Sequence, residues 1–388
     1  MLKYKVVKPK VKPTSQESGG ERRKINLRDI WQCFRRWASV VLLGVFVAAT
    51  LVYVLPKLPT KPYLTSKNVA YKGVLEMWNI ECFEGGVGSR QSWLTARAAK
   101  FEAKNKGLYV HVTTLTAEQA ADKLSSGERF DLVSFSRGIG ATLLPYLAPT
   151  NAVRDTSDNM RQSAMVGNVV YANAYYCGAY LLFSRSSELA EERLKQECLT
   201  KTVTRKIGKN TVTLSPLICG FTQSNSPLTA LLTEGCGGKA SDLSEEVTQY
   251  RAYEAFVSHK SAVTLLGTQR DLYRLRKREA EGKIESLAVV PLIGYTDLVQ
   301  YVAVGKQSDN IAAAEAFATY LTSAEVQATL VDLALFSPTG ATVYTDDTYR
   351  LCAEGVTRAY VPNVFAPTES VAKQRADAVK GLEVSKNG

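Results

Sequence analysis

The feature that most constrains this chain is a run of 17 residues without a charge, SVVLLGVFVAATLVYVL at 39–55. A buried helix of that length ordinarily keeps a polar face, and this run has none. Its length lies at the short end of what crosses a bilayer. In front of it stands a basic tail: residues 1–38 carry eleven Lys/Arg against three Asp/Glu, a net of +8. Arg35, Arg36 and Trp37 flank one side of the run, and Tyr53 lies near its other end. The positive-inside rule then puts the tail in the cytoplasm and everything beyond Lys57 outside. The expected order is a basic cytoplasmic tail (1–38), one N-terminal transmembrane helix (39–56), a Pro/Lys-rich linker (57–68) and a large external part. The competing reading is a cleaved signal peptide, since Ala48, Ala49 and Thr50 suit a peptidase, but the leader is long for one. No cysteine closely follows the run, which disfavours a lipid anchor.

The whole chain carries +11, so the 350 residues outside the tail share only +3. A broad phosphate-binding face is not expected, and neither is a nucleic-acid partner. A length of 388 residues exceeds what one hydrophobic core usually serves, which argues for two lobes. The seven cysteines (33, 82, 177, 198, 219, 236 and 352) include no C-x-x-C spacing, so neither a zinc ribbon nor a redox motif is supported. Six of them would lie outside, an even number that permits disulfides without saying which.

Past the linker the pattern alternates between periods of two and of 3.6. AYKGVLEMW reads as a strand ending at Trp78, and Leu94, Ala98 and Phe101 mark the stripe of a helix that Ser89 or Ser92 caps. LYVHVTTL is a second strand, TAEQAADKLSSG a short helix, and RFDLVSFS a third strand. The order β-α-β-α-β implies a parallel α/β sheet, with ligands beyond the carboxyl ends of its strands. Trp78, Glu84, the glycine turn containing Gly86, and Ser136 fall on that rim. The turn itself, FEGGVGSR, is no phosphate loop: the third glycine of a G-x-G-x-x-G is replaced by Gln91, and no Gly-Lys-Ser/Thr follows.

Further on, residues 169–185 read as two strands broken at Gly178, and VTRKIGKNTVTL as a hairpin. A helix is expected over 241–259, with Leu243, Val247, Tyr250, Tyr253 and Val257 on one face. A strand to Leu266 is followed by a polar turn with Gln269 and Arg270. Two strands meet around Gly294, beside Tyr295, and two helices then join at a capping box of Thr322 and Glu325.

The chemistry on offer is thin. Only two histidines exist, His111 within an alternating strand and His259 at a helix end, where a cation is favourable. There is no G-x-S-x-G, so nucleophilic hydrolysis is poorly supported. Oxygen ligands alone would have to hold a metal; no metal, cofactor or enzymatic activity is expected. A two-carboxylate glycosidase stays open through Glu81, Glu84 and Asp131. The aromatics Trp78, Tyr175, Tyr176 and Tyr295 fall at strand ends, where a ring can stack on a sugar. Gln269 and Arg270 offer polar anchors, while Arg90 reads as a solvated residue of the first helical turn.

Three stretches together resemble a known family. They are VLEMWNIECFEGGVGSRQSWLTARAAKFEAKNKGLYVHV, RFDLVSFS and YTDLVQYVAVGKQSDNIAAAEAFATYLTSAEVQATLVDLALFSPTG. They are similar to bacterial extracellular solute-binding proteins of ABC importers, the group that includes the maltose-binding protein. The resemblance implies a two-lobed periplasmic-binding-protein-like type II fold with a hinge and an interlobe cleft. Lobe one would combine 69–173 with 298–345, and lobe two 174–297 with 346–388. It implies capture of a small solute, a sugar or oligosaccharide first, for importer permease subunits at the membrane. Trp78, Glu84, Gly86, Ser136, Tyr175, Tyr176, Gln269, Arg270 and Tyr295 are the ligand residues it suggests. The basic tail and the uncleaved helix depart from the secreted or lipid-anchored members. A sensor without transport, or a tethered glycosidase, are the other readings.

Overall fold

Strand β1, Gly73–Ile80, sets the architecture because its two faces are buried in different cores. Leu75 and Met77 point into one, and Trp78 and Ile80 into the other, as a period of two requires. A computed structural model describes residue 38 and residues 71–384 other than 84, 85, 152, 154 and 239–246. The tail up to residue 37, the apolar run 39–55, the linker and Glu84 thus lie outside the described residues. Among the described residues, no helix is long and apolar enough to cross a membrane. Residues Asn68–Gly388 form one compact unit, to which the following applies.

Helix α1 (Arg90–Lys104) follows β1 and buries Trp93, Leu94, Ala98 and Phe101, the expected stripe plus Trp93. Ser89 is its cap, accepting the N–H of Ser92 at 3.2 Å. Strand β2 (Leu108–Leu115) and helix α2 (Ala117–Ser125) follow, then strand β3 (Leu132–Phe135). Thr116 and Gln119 form a reciprocal capping box on α2. Both β2 and β3 pair in parallel with β1, as the β-α-β-α-β order implies. Strand β4 (Asn173–Cys177) closes the sheet, whose order is β2-β1-β3-β10-β4 once the late strand β10 (Val299–Val304) inserts antiparallel to β3 and β4.

A second sheet begins at strand β5 (Tyr180–Arg185). After helix α3 (Glu191–Glu197), strands β6 (Val203–Ile207) and β7 (Asn210–Cys219) form the expected hairpin. Helices α4 (Pro227–Thr233) and α5 (Gln249–Val257), strand β8 (Ala262–Thr268), helix α6 (Gln269–Ala280) and strand β9 (Leu287–Leu292) complete the order β9-β5-β8-β7-β6. The chain passes between the sheets at 178–179 and again at 293–298. These passages lie side by side: Gly178 N–H donates to Leu298 O at 2.7 Å, and the Thr296 hydroxyl to Gly178 O at 2.8 Å. After β10 and helix α7 (Ile311–Leu321), the chain returns to the second sheet, where helix α8 (Asp347–Val356) packs on β9 and helix α9 (Val371–Val384) on α4.

Three local expectations change, and the cysteines, left open by the sequence, are found as thiols. The described part of the 241–259 helix starts at Gln249 behind the cap Thr248, and its buried residues are Ala252, Tyr253 and Phe256, while Tyr250 is exposed. Gln269 and Arg270 open the 12-residue α6 rather than a turn, because Thr268 and Asp271 cap it reciprocally. The Thr322–Glu325 box does not form: the Thr322 hydroxyl turns back to the carbonyls of Ala318 and Thr319. The six described cysteines are free thiols, with Cys198 and Cys236 hydrogen-bonded to one another.

The cap of α6 makes a pH prediction. Burial pushes the Asp271 carboxyl from 3.8 up to about 6. A raised folded-state value means that Asp271's contribution to stability is complete below its unfolded value and is lost as pH climbs through about 6. Asp271→Asn keeps an acceptor for the Thr268 N–H but does not titrate. Its stability relative to the unmodified protein is expected to improve by about 1–3 kcal/mol between pH 4 and pH 7. Urea unfolding of both proteins at the two pH values measures this, and a difference independent of pH would refute it.

Candidate ligand cleft

The carboxyl ends of β1, β2 and β3 form one rim, and segments of the second sheet face it. The Ser224 hydroxyl, from the loop after β7, donates to the carbonyl of Cys82 just beyond β1. Arg137, immediately after β3, reaches further across. Its Nη1 pairs with Asp297 at 3.2 Å and donates to Tyr295 Oη and Ser226 Oγ, each at 3.3 Å. Asp297 is fully buried and also accepts from the Tyr180 hydroxyl at 2.6 Å. Burial works against the Arg137 charge, but Asp297, Tyr295 and Tyr180 together outweigh it and push its pKa up.

Two cavities open between rim and facing segments, and Glu81 lines both. One, of about 500 Å³, is bounded by Cys82, Thr114, Thr116, Glu118 and Arg137 on the rim and by Thr222 and Ser224 opposite. The other, of about 600 Å³, lies between residues 86–90 and the first turns of α6, represented by Arg270, Tyr273 and Arg274. Glu81 is held in place by Asn79 Nδ2 at 3.3 Å and Arg90 Nη2 at 3.0 Å, one on each carboxylate oxygen. The Arg90 side chain is only 10% exposed, so it is part of this wall and not the solvated residue expected from sequence.

The glycine turn has a packing reason to be glycine. A Cβ on Gly86 would stand 2.4 Å from the Cβ of Ala334, and the next residue, Val87, donates its N–H to Leu333 O. Gly88 takes a positive φ of 64°. The turn presses against its own chain on one side and lines the second cavity on the other.

The residues singled out from sequence are dispersed. Gly86 and Arg270 meet in the second cavity. Tyr295 is 2% exposed, accepts from Arg137 through its hydroxyl, and borders a further cavity with Ser226, Tyr360 and Gln374. Trp78 is buried against Phe130 with ring centroids 5.0 Å apart. Tyr175 and Tyr176 pack edge to face at 4.6 Å inside the other core, and the Tyr175 hydroxyl meets Ser134 at 2.7 Å. Gln269 is fully buried, and its amide oxygen accepts the Ala179 N–H at 3.0 Å where the chain passes between sheets. That amide occupies the space of a side chain at 178, so the break there requires glycine. Ser136 is buried behind the rim. Glu81, Cys82, Glu118, Arg137, Tyr273 and Arg274 line the cavities without having been singled out as ligand residues. For Tyr273 and Arg274 a signal existed: T-x-x-D at 268–271 is a helix start, and three or four residues on from Arg270 is the same helical face.

The groups for covalent chemistry are placed elsewhere or in the wrong state. His111 pairs with Glu76 at 2.8 Å, and His259 with Glu188 at 2.7 Å, neither lining the two cavities. Burial and then Arg185 push the His259 pKa down, contrary to the cation expected at that helix end. Burial pushes the Cys82 thiol up to about 11, far from a reactive thiolate. Its own backbone N–H and the Thr116 hydroxyl hold the Glu118 carboxyl below its usual value, the reverse of what a general acid needs. Asp131 accepts from the Glu76 N–H and the Ser308 hydroxyl, a bracing role outside the cavities. Among the described residues no cluster suits a metal ion.

Neither protein-family models nor curated proteins match the sequence. Solved structures do match the fold. A cyclo/maltodextrin-binding protein complexed with maltotetraose superposes with a TM-score of 0.57 at 13% identity, covering 83% of this chain and 95% of that one. The GacH receptor of Streptomyces glaucescens, solved unliganded and with acarbose, gives 0.55 at 16% identity over 82% and 94%. The sugar-binding protein MalE of Xanthomonas citri gives 0.55 at 15% over 81% and 93%. The fold is therefore the mixed α/β, two-lobed one of the maltodextrin-binding proteins.

Two mutational outcomes follow from the geometry. Trp78→Ala removes a core side chain and is expected to lower stability by about 3–5 kcal/mol in chemical unfolding; an unchanged unfolding midpoint would contradict its core placement. Arg137→Met leaves Asp297 buried and unpaired, at a cost of about 3–5 kcal/mol, whereas the double change Arg137→Met/Asp297→Leu is expected to be more stable than that single variant. Additive losses would mean that the pair is not coupled.

Proposed function

We propose that the external part of this protein captures a small solute, a sugar or oligosaccharide, in the cleft between its sheets and hands it to the permease subunits of an ABC importer. The observation that carries this reading is the pair of cavities sharing Glu81 between the rim of the first sheet and the facing segments of the second. Lobe one would comprise 69–173 with 298–345, and lobe two 174–297 with 346–388. The side-by-side passages at 178 and 296–298 would serve as the hinge. Closure would draw its energy from the ligand's preference for the closed state. The ligand wall we assign is Glu81, Arg90, Arg270, Tyr273 and Arg274, with Thr116, Glu118 and Arg137 in the neighbouring cavity. Trp78, Tyr175, Tyr176 and Gln269 support that wall from behind. No reaction is assigned to the cleft: Glu81 has both oxygens engaged, and Glu118 is held below the range of a general acid. The run 39–55 would hold the protein to the membrane, with its N-terminus cytoplasmic and the cleft outside.

Thermal unfolding against a panel of sugars, oligosaccharides, amino acids and polyamines tests the reading. A ligand at 100 times its Kd adds about 2.7 kcal/mol, a rise of several degrees. A shift with sugars that Arg270→Gln or Tyr273→Ala abolishes is the expected result. A folded protein indifferent to the entire panel would leave the cleft without a solute and sink the proposal.

A further inference from the structure

One pair of thiols plays no part in the cleft. Cys82 and Cys177 direct their S–H groups to the carbonyls of Ile80 and Phe336, at 3.6 and 3.3 Å. Cys198 and Cys236 instead meet each other, and both belong to the same core. No short spacing marks them, since they stand 38 residues apart. They come from different elements: Cys198 ends α3, and Cys236 follows the end of α4.

Independent contacts fix their approach on both sides. Before the pair, Lys195 Nζ binds Glu234 Oε2 at 2.6 Å. Beyond it, the chain at Gly238 passes so near Leu199 that a Cβ there would stand 2.7 Å from the Leu199 Cβ. The contacts 195–234, 198–236 and 199–238 thus run in one direction along both segments. Each cysteine is also tied to its own helix, the Cys198 N–H to Leu194 O and the Cys236 N–H to Leu231 O, both at 3.0 Å. A disulfide needs side chains that point at each other, and a thiol–thiol hydrogen bond between two anchored backbones supplies that. The bond from Cys198 favours the Cys236 thiolate and holds its pKa below the usual value, whereas burial pushes Cys82 the other way. Cys236 is therefore the better nucleophile. It is buried, but between an exposed Gly235 and a half-buried Gly237, one layer beneath solvent.

We propose that Cys198 and Cys236 are a redox pair that a peroxide converts into an intrachain disulfide, clipping α3 to the end of α4. The Cys236 thiolate attacks one peroxide oxygen and becomes a sulfenic acid, while the other oxygen leaves as hydroxide and takes up the thiol proton to give water. The Cys198 sulfur then attacks the sulfenic sulfur, forming the S–S bond, and the sulfenic oxygen departs with the Cys198 proton as a second water. Two thiols are oxidised, and one peroxide is reduced to two waters. The bridge closes the segment 198–236, which contains β6, β7 and α4, and so constrains the unfolded chain. Glu234 beside it accepts the Gly294 N–H at 2.7 Å through its other oxygen, so the clipped loop is joined to the passage between the sheets.

Peptide mapping of the full chain tests this. The reduced protein is treated with hydrogen peroxide under native conditions, then quenched, denatured and alkylated. Cys198 and Cys236 are expected to escape alkylation and to appear in one disulfide-linked pair of peptides, while Cys177, Cys219 and Cys352 are alkylated. The melting temperature should rise by about 5 °C and fall back when dithiothreitol is added. Cys198→Ser should abolish both effects and leave a sulfenic acid at Cys236 that dimedone traps. Should that variant misfold, mapping of the unmodified protein decides alone. Alkylation of both cysteines after peroxide, a bridge from either to another cysteine, or equal oxidation of all seven thiols overturns the proposal.

Discussion

The structure depends on one buried charge pair. Arg137 leaves the rim of the first sheet, and Asp297 sits fully buried where the chain re-enters that sheet from the second. Removing two charges from water costs several kcal/mol per ion, and their attraction offsets this only when the remaining hydrogen-bonding positions are filled. Both oxygens of Asp297 are served here, one by Tyr180 and the other by Arg137, and Tyr295 and Ser226 share the same guanidinium nitrogen, while Arg137 Nε stays buried without a partner. Ser226 in turn donates to Gln374 on α9 at 3.0 Å, which ties the last helix into the cluster. Sheet one, the passage between sheets, sheet two and the C-terminal helix thus meet around a single guanidinium. Arg137 also lines the first cavity, so the wall of the cleft and the bond across it share a side chain.

The passages between sheets show the same economy of position. Gly178 has no side chain because the Gln269 amide fills its place, and that amide satisfies the N–H of Ala179. Gln269 is the first residue of α6, so the break between β4 and β5 is fixed by the helix that also bounds the second cavity. On the opposite wall Gly86 is pressed against Ala334, one of two non-glycine residues at positive φ among those described. Both walls are therefore set by backbone packing over large sequence separations.

That explains what was legible in the sequence. Periodicity located β1, α1, β2, α2 and β3 and their parallel pairing, because those signals are local and each strand feeds directly into the next helix. The strand break at Gly178 and the hairpin at Gly208 were legible for the same reason. The cleft was only partly so. Gly86 and Arg270 were singled out, yet the pattern also points the strand-end aromatics at a ligand, and all four sit in cores: Trp78, Tyr175, Tyr176 and Tyr295. Strand ends bury rings when a second sheet or a helix covers them, and pattern alone does not show which ends are covered. Apart from Arg270, the charged lining was missed because its members come from four separate places: 81, 90, 137 and 270–274. No spacing rule connects them; the tertiary fold does.

Helix α6 shows how the parts combine. At 100° per residue, Gln269 turns inward to the passage, Asp271 folds back onto Thr268 as the cap, and Leu272 and Leu275 enter the core. Arg270, Tyr273 and Arg274 then fall together on the remaining face, toward the cavity. The reciprocal cap fixes where the first turn begins, and the buried leucines fix its rotation. A start shifted by one residue would swing the arginines by about 100° and put a guanidinium where a leucine packs. The charge presented to the cleft is thus set by the same contacts that hold the helix on its sheet, so this wall needs no ligand to assume its form.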